Sequence, residues 1–136
     1  MIRYTDTLAG ITVDQLRGGF FASWTRPLTP ETHLRVLHGS DAVILAIDDT
    51  TDMVAGYITM ISDGVLSAFI PNIEVLADYQ GQGVGTELMQ RMLDKVRHIP
   101  NIDLMCAPDV QPFYRRFGMQ PCNGMVIRKS VPDINC

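Results

Sequence analysis

Apolar and polar positions alternate with several different periods along the chain, and each change of period marks a predicted element. An unbroken apolar run from Ala42 to Ile47 is typical of a buried strand. After a polar turn, a second strand is predicted over Met53 to Ile61, and Ser62-Asp63-Gly64 predicts a tight connection into a third strand. Pro71 interrupts this third strand, which predicts a bulge or a splayed segment before Ile73.

Helical periodicity flanks this strand-rich centre on both sides. Between Thr12 and Ser40 the pattern predicts two helices, and Thr29-Pro30-Glu31 reads as the cap, first-turn proline and acidic residue that open the second one. From Gly83 to Arg97 apolar residues recur every four positions, and Pro100 closes this helix.

The ends of the chain supply the remaining elements. We expect a first strand over Ile2 to Thr5, a buried strand over Ile102 to Cys106, a short helix over Val110 to Phe117 and a last strand over Gly124 to Arg128. The order is an antiparallel meander followed by β-α-β-α-β. It predicts an α/β (α+β) protein with a mixed, mostly antiparallel central sheet of about six strands and about four helices, including a splayed strand pair.

Composition narrows the class of protein. With 136 residues, 46% of them apolar and 19% charged, we expect one globular domain over residues 1–136. A net charge of −4 disfavours nucleic acid or an anionic membrane as the main partner, and no apolar run reaches the length of a membrane span. The first residues do not resemble a signal peptide. The three cysteines follow no metal spacing, so we expect free thiols in a reducing cytoplasm and no metal.

The segment that follows Ile73 to Val75 carries the most specific chemistry. It ends in the glycine-rich turn Gln80-Gly81-Gln82-Gly83-Val84-Gly85, and a helix starts at once. Glycines let the backbone approach a ligand closely, and the N–H groups and dipole of a helix N-terminus suit a phosphate. Thr86 breaks the six-residue dinucleotide pattern, and no P-loop lysine follows. A turn whose glycines serve packing alone is the alternative interpretation.

Two motifs together resemble a known family. Gln80 to Gly85 fits the Gln/Arg-x-x-Gly-x-Gly/Ala motif of the GNAT superfamily of N-acetyltransferases, and the strand before it resembles that family's fourth strand. Phe113-Tyr114-Arg115-Arg116-Phe117-Gly118-Met119 resembles the family's second signature. The resemblance covers Ala42 to Arg128, whereas the N-terminal helices match only in being helical.

The resemblance implies acetyl-coenzyme A (acetyl-CoA) as donor. Its pyrophosphate would lie on the N–H groups of the turn, and its pantetheine would pair with the strand as an added peptide does. The N–H near Val75 would then polarise the thioester carbonyl. The implied binding residues are Ile73, Val75, Gln80, Gly81, Gln82, Gly83, Val84, Gly85 and Thr86. Because Gln80 is neutral where many relatives carry arginine, the phosphate site would rely on backbone dipoles.

Two residues are candidates for proton transfer. Tyr114 stands at the position of the family's general acid, and the alternative is a half-buried tyrosine that packs on Phe113 and Phe117. Glu74 is the candidate base, because strand alternation places its side chain opposite those of Ile73 and Val75. A solvated or salt-bridged glutamate is the alternative for Glu74.

Several other residues have a structural interpretation beside a functional one. His33 and His38 face either the acceptor or, more simply, solvent, and Phe20, Phe21 and Trp24 either line an acceptor pocket or anchor the first helix to the sheet. Cys106, in a predicted buried strand, is expected to be an inert small hydrophobe.

The sequence therefore predicts a cytoplasmic N-acetyltransferase that moves an acetyl group from acetyl-CoA to a primary amine by direct attack on the thioester. The acceptor is a small molecule or a peptide amine, and the protein is a monomer or a homodimer. One alternative is an acetyl-CoA-binding regulatory module without turnover. Another is a nucleotide-binding protein of a different fold.

Overall fold

A computed structural model describes residues 1–129, which form two compact units, Met1–Asp103 and a second unit from Leu104 onward. The elements in chain order are β1 (Ile2–Thr5), α1 (Pro30–Gly39), β2 (Ala42–Asp48), β3 (Val54–Ser62), β4 (Ser67–Ile70), β5 (Ile73–Val75), α2 (Val84–Lys95), β6 (Asn101–Leu104) and α3 (Gln111–Arg115). Short 3-10 turns lie at Val13–Leu16, Ala77–Tyr79 and Pro108–Val110. No helix within residues 1–129 is long and apolar enough to cross a membrane.

The six strands form one sheet in the order β1-β2-β3-β4-β6, and β5 lies beside β3 off this path. Strands β1 to β3 form an antiparallel meander. Strands β4 and β5 both pair antiparallel with β3, at Ile61 and Ser62 and at Gly56 to Ile58 respectively. Pro71 separates the two short strands. The predicted six-stranded, mostly antiparallel sheet and the interruption at Pro71 are confirmed.

The two faces of the sheet are covered by different parts of the chain. One face carries a core cluster in which the N-terminal segment and α1 pack on β2 and β3; its buried members are Leu16, Phe20, Phe21, Leu37, Val43, Leu45, Ile47, Val54 and Tyr57. The alternate side chains of these strands point to the other face of the sheet, where α2 contacts β2, β3 and β5. Each fully buried side chain of this size contributes about 1.5–3 kcal/mol, so these two layers hold the strands in register.

Gly56 sets the distance between α2 and the β3–β5 pair. A Cβ atom at this position would lie 3.1 Å from the carbonyl oxygen of Glu74 and 3.3 Å from side-chain atoms of both Leu88 and Val75. Only glycine lets the helix and the two strands approach this closely. Close packing at Gly56 therefore holds α2, through Leu88, against β5.

The structure differs from the predicted elements at three places. The first predicted helix is only the 3-10 turn Val13–Leu16, followed by turns through Gly18 and Gly19, whose flexibility opposes a helix. The described part of the chain thus has three α-helices rather than about four. The strand predicted at Ile102 to Cys106 is β6, which alternates between exposed and half-buried residues and is not buried.

No strand forms over Gly124 to Arg128, all of which lie within the described range. Met125 and Ile127 are 100% and 83% exposed. The apolar pattern alone is insufficient here, because a strand also requires a neighbouring edge to pair with.

We predict that Gly56→Ala lowers the free energy of unfolding by about 1–3 kcal/mol, because the added methyl group overpacks the contact between α2, β3 and β5. Gly39→Ala is the matched control, since an added Cβ there meets no atom within 4 Å at the end of α1. It should be neutral or stabilise the protein by about 0.5–1 kcal/mol. Urea denaturation measures both values, and equal effects would contradict the packing argument.

Candidate active site

Strand β5 has one paired and one open edge. Two hydrogen bonds fix the phase of the pairing with β3: Leu76 N–H donates to the Ala55 carbonyl at 2.9 Å, and Thr59 N–H donates to the Asn72 carbonyl at 3.0 Å. Because bonding alternates along an antiparallel pair, the backbone groups of Glu74 face β3, and those of Ile73 and Val75 point away from it. Within residues 1–129 no strand pairs with that outer edge.

Gln80 ties the glycine-rich turn back to this edge. Its side-chain Nε2 donates to the carbonyl oxygen of Val75 at 2.9 Å. The amide thus occupies a backbone acceptor at the end of β5 and leaves the Val75 N–H and both polar groups of Ile73 facing outward. In this structure Gln80 binds the protein's own strand, so its predicted contact with a cofactor stays a prediction.

The turn before α2 has the backbone geometry of an anion site. Gly81 and Gly83 are both left-handed, with φ of 77° and 83°, and Gly83 is the N-cap residue of α2. The first helical bond runs from Glu87 N–H to the Gly83 carbonyl at 3.0 Å, so the N–H groups of Val84 and Gly85 precede it. A Cβ on either left-handed glycine meets no atom within 4 Å. Open space beside the glycines, next to N–H groups that precede the first helical bond, fits a phosphate.

A second hydrogen bond connects the segment just before the glycine-rich turn to β2. The Tyr79 hydroxyl donates to Asp48 Oδ2 at the end of β2, with 2.6 Å between the oxygens. This bond is the main cause of the lowered pKa of Asp48 and the raised pKa of Tyr79. Sequence reasoning missed Tyr79, since nothing in the local pattern indicates a partner 31 residues away.

Glu74 is half-buried and points to the face that carries the N-terminal segment. It stands opposite Tyr57 in the register. The Phe21 N–H donates to both carboxylate oxygens, at 3.1 Å to Oε1 and 3.2 Å to Oε2. Burial raises the pKa of Glu74, and the Phe21 hydrogen bond offsets part of that rise. No ion pair of the described residues includes Glu74, so the salt-bridged alternative is excluded.

The aromatic residues of the N-terminal segment divide into core and surface. Phe20 and Phe21 are buried, which supports the interpretation that they anchor this segment to the sheet. Trp24 is 45% exposed and packs edge-on against Phe21. His33 is only 1% exposed, so the prediction of a surface histidine is wrong there, whereas His38 is exposed.

Tyr114 belongs to the second compact unit. It lies in α3, half-buried, with its ring edge-on to Phe113 at 5.0 Å between centroids. Burial raises the pKa of the phenol, and the neighbouring Cys106 thiol raises it further. The hydroxyl is therefore protonated at neutral pH, as an acid must be. Cys106 itself follows β6 and is half-exposed, so the prediction of a buried strand cysteine is wrong.

A model of the acetyltransferase (GNAT) family matches residues 11–119, which span both compact units. The chain belongs to the GNAT family. This finding excludes the alternative of a nucleotide-binding protein with a different fold. The match also covers the glycine-rich turn and the Tyr114 segment.

Solved structures and curated relatives agree with the family. A Deinococcus radiodurans R1 protein classed as an acetyltransferase superposes with a TM-score of 0.90 at 41% identity, covering 94% of this chain and 88% of that one. A GNAT family acetyltransferase of Streptococcus pneumoniae TIGR4 gives 0.76 at 27% identity, covering 96% and 100%. GCN5-related N-acetyltransferase 1, chloroplastic, of Arabidopsis thaliana is 30% identical over 82% of this chain and 58% of its own length. The chain thus spans little more than half of that curated relative.

We predict that Tyr79→Phe raises the pKa of Asp48 toward its usual 3.8, because the variant lacks the hydroxyl that stabilises the carboxylate. A carboxyl group whose pKa is lower in the folded than in the unfolded protein stabilises the fold at pH values above the unfolded-state pKa. This contribution is lost as the pH falls through the folded-state pKa. The acid-dependent part of stability should therefore shrink in the variant. NMR titration of Asp48 measures the shift. Tyr4→Phe, which removes a hydroxyl from β1, should leave the pKa of Asp48 unchanged. An unchanged Asp48 pKa in Tyr79→Phe would contradict the stabilising role of the Tyr79 hydrogen bond.

Proposed function

We propose that this GNAT protein is an N-acetyltransferase that transfers the acetyl group of acetyl-CoA to a primary amine. The observation that carries the proposal is the open edge of β5, which is followed, after the short 3-10 turn Ala77–Tyr79, by a left-handed glycine turn at the N-terminus of α2. One continuous segment thus offers backbone groups for amides and then backbone N–H groups for phosphates. Family membership supports acetyl transfer as the class of reaction.

The chain's own residues suit the two parts of the donor. The outward groups of Ile73 and Val75 pair with the amides of pantetheine, and the Val75 N–H polarises the thioester carbonyl. The pyrophosphate lies on the turn from Gly81 through Gln82, Gly83, Val84 and Gly85 to Thr86. Gln80 keeps the turn against the strand. No metal takes part in this proposal, and no cluster of three or more metal-ligating side chains occurs within residues 1–129.

Acetyl-CoA supplies an activated thioester, and the protein supplies proton transfer. The amine nitrogen forms a bond to the carbonyl carbon, the carbon–sulfur bond breaks, and coenzyme A leaves as a thiolate. Glu74 takes the proton that the attacking nitrogen releases; its raised pKa makes it a better base than an exposed glutamate. Tyr114, on the family resemblance alone, gives a proton to the departing sulfur.

The acceptor is proposed as a small-molecule amine or a peptide amine, with neither nucleic acid nor a membrane as partner. Net charge of −4 supports a cationic acceptor over an anionic one. Residues 1–136 are proposed to work as one domain, monomeric or homodimeric, because the family match runs across both compact units. A cytoplasmic location is also proposed, although the Arabidopsis thaliana relative is named as chloroplastic.

We predict that acetyl-CoA stabilises the protein selectively over ATP and NAD in a thermal-shift assay. At a concentration about 100 times Kd the stabilisation is about 2.7 kcal/mol, which raises Tm by several degrees. Gly83→Asp should weaken binding at least about tenfold relative to Gly83→Asn, because the carboxylate repels the pyrophosphate. Both side chains tolerate a left-handed backbone and cap helices, so the two variants should fold equally well. Absence of any shift with acetyl-CoA would refute the proposal.

We predict that Glu74→Gln lowers kcat/KM for thiol release by roughly a hundredfold or more, with acetyl-CoA stabilisation retained. The acid limb of the wild-type pH profile should lie above pH 4.5, the usual pKa of glutamate, because burial raises the pKa. Tyr114→Phe should also slow thiol release while it leaves acetyl-CoA binding in place. Full activity in Glu74→Gln and in Tyr114→Phe would show that neither residue takes part in proton transfer.

A regulatory module without turnover is the remaining alternative. It predicts that acetyl-CoA binds but that no small amine, polyamine or peptide amine in an acceptor panel causes thiol release. Amine-dependent thiol release by the wild type would exclude it.

A further inference from the structure

His33 is a buried polar side chain that the proposed reaction does not use. It lies on α1 with 1% of its surface exposed, and neither ring nitrogen has a hydrogen-bond partner. Buried polar atoms are nearly always paired, and an exception calls for an explanation. An apolar side chain in its place would avoid the desolvation of two nitrogens.

The imidazole ring is packed among three aromatic rings. Its centroid lies 4.5 Å from that of Tyr57, 4.8 Å from Phe21 and 5.2 Å from Phe20, and all three contacts are edge-to-face. These contacts bring together α1, the N-terminal segment and β3. Phe21 is itself only 1% exposed, so its ring and the imidazole are packed together in the core.

Phe21 is held in an unfavourable conformation. Its φ is 65°, in the left-handed region that residues with a large side chain rarely adopt. Such strain persists only where the surroundings enforce it, and it concentrates at functional sites. In this conformation the Phe21 N–H reaches both oxygens of Glu74.

We propose that His33 is a positioning residue for Glu74: its ring braces Phe21 in the left-handed conformation that directs the backbone N–H at the carboxylate. The inference rests on the proposed function, because it assigns Glu74 the role of base. It extends that function by adding a support on α1 that touches neither donor nor acceptor.

The charges around the cluster are consistent with a ring that acts by shape. Burial lowers the pKa of His33 to about 4, so the imidazole is neutral at physiological pH. The titratable groups on the facing strands are Tyr57, whose pKa burial raises, and Glu74. On α1 itself, Glu31 is paired with Arg17.

The test is a ¹³C NMR titration of the Glu74 carboxyl group, assigned by its loss in Glu74→Gln. In His33→Ala the bracing ring is gone, the Phe21 hydrogen bond loosens, and the Glu74 pKa should rise by about half a unit or more. His33→Phe keeps a ring against Phe21 and should hold the pKa near the wild-type value. His38→Ala, an exposed histidine on the same helix, should have no effect. If His33→Ala does not fold, His33→Leu takes its place.

A kinetic measurement completes the test. His33→Ala should lower kcat for thiol release at least about tenfold, with KM for acetyl-CoA unchanged, and should move the acid limb of the pH profile upward. An unchanged Glu74 pKa in a folded His33→Ala or His33→Leu protein would overturn the proposal. A His33→Phe protein as defective as His33→Ala would overturn it too, because the nitrogens rather than the ring would then be needed. The titration needs no acetyl-CoA, so failure of donor binding would refute the proposed function without deciding the role of His33.

Discussion

The antiparallel pairing of β5 with β3 determines the arrangement of the candidate site in the first compact unit. Its register places Glu74 opposite Tyr57, and its phase turns the backbone groups of Ile73 and Val75 outward. A shift by one residue would reverse both results, because side chains and backbone groups alternate with a period of two. Gly56 protects this register, since any larger residue there would press on β5 and α2 together.

The turn after β5 obtains its electrostatics from the backbone. The basic side chains in and just after α2 are already paired with acidic ones: Arg91 with Glu87, Lys95 with Asp6 and Arg97 with Asp94. Gln80 is neutral and bonded to Val75. Affinity for a phosphate would therefore depend on oriented N–H groups and the helix dipole, which are strong only while the turn keeps its shape. The hydrogen bonds of Gln80 to Val75 and of Tyr79 to Asp48 would therefore support phosphate binding, because they hold the turn in this shape.

The sequence predicts the parts of the fold that local pattern controls. A continuous apolar run identified β2, the polar turn after it preceded the predicted strand that became β3, four-residue periodicity identified α2, and Pro71 marked the break between β4 and β5. The glycine motif identified the turn because a left-handed backbone strongly favours glycine, and this preference can be read from the sequence. Strand formation at Gly124 to Arg128 failed as a prediction, because pairing depends on partners that a local pattern does not contain.

The less predictable parts of the site are its long-range contacts. Nothing near Tyr79 indicates Asp48, and nothing near Glu74 indicates the Phe21 N–H, 53 residues away in sequence. The strain at Phe21 was equally hidden, since phenylalanine is an improbable residue for a left-handed position. His33 resembled a surface residue because its helix is amphipathic and polar residues usually face solvent.

The geometry of one strand also separates the two halves of the proposed reaction. The backbone groups of Ile73 and Val75 lie in the plane of the sheet, whereas the side chain of Glu74 stands out of it, on the face that the N-terminal segment covers. An acceptor amine that uses Glu74 as base must therefore approach along that face, past Phe21 and the exposed ring of Trp24. On the proposed mechanism, donor binding would depend on backbone geometry that tolerates few changes, while acceptor choice would depend on side chains of the N-terminal segment. Substitutions at Trp24 should consequently alter acceptor preference without loss of donor binding.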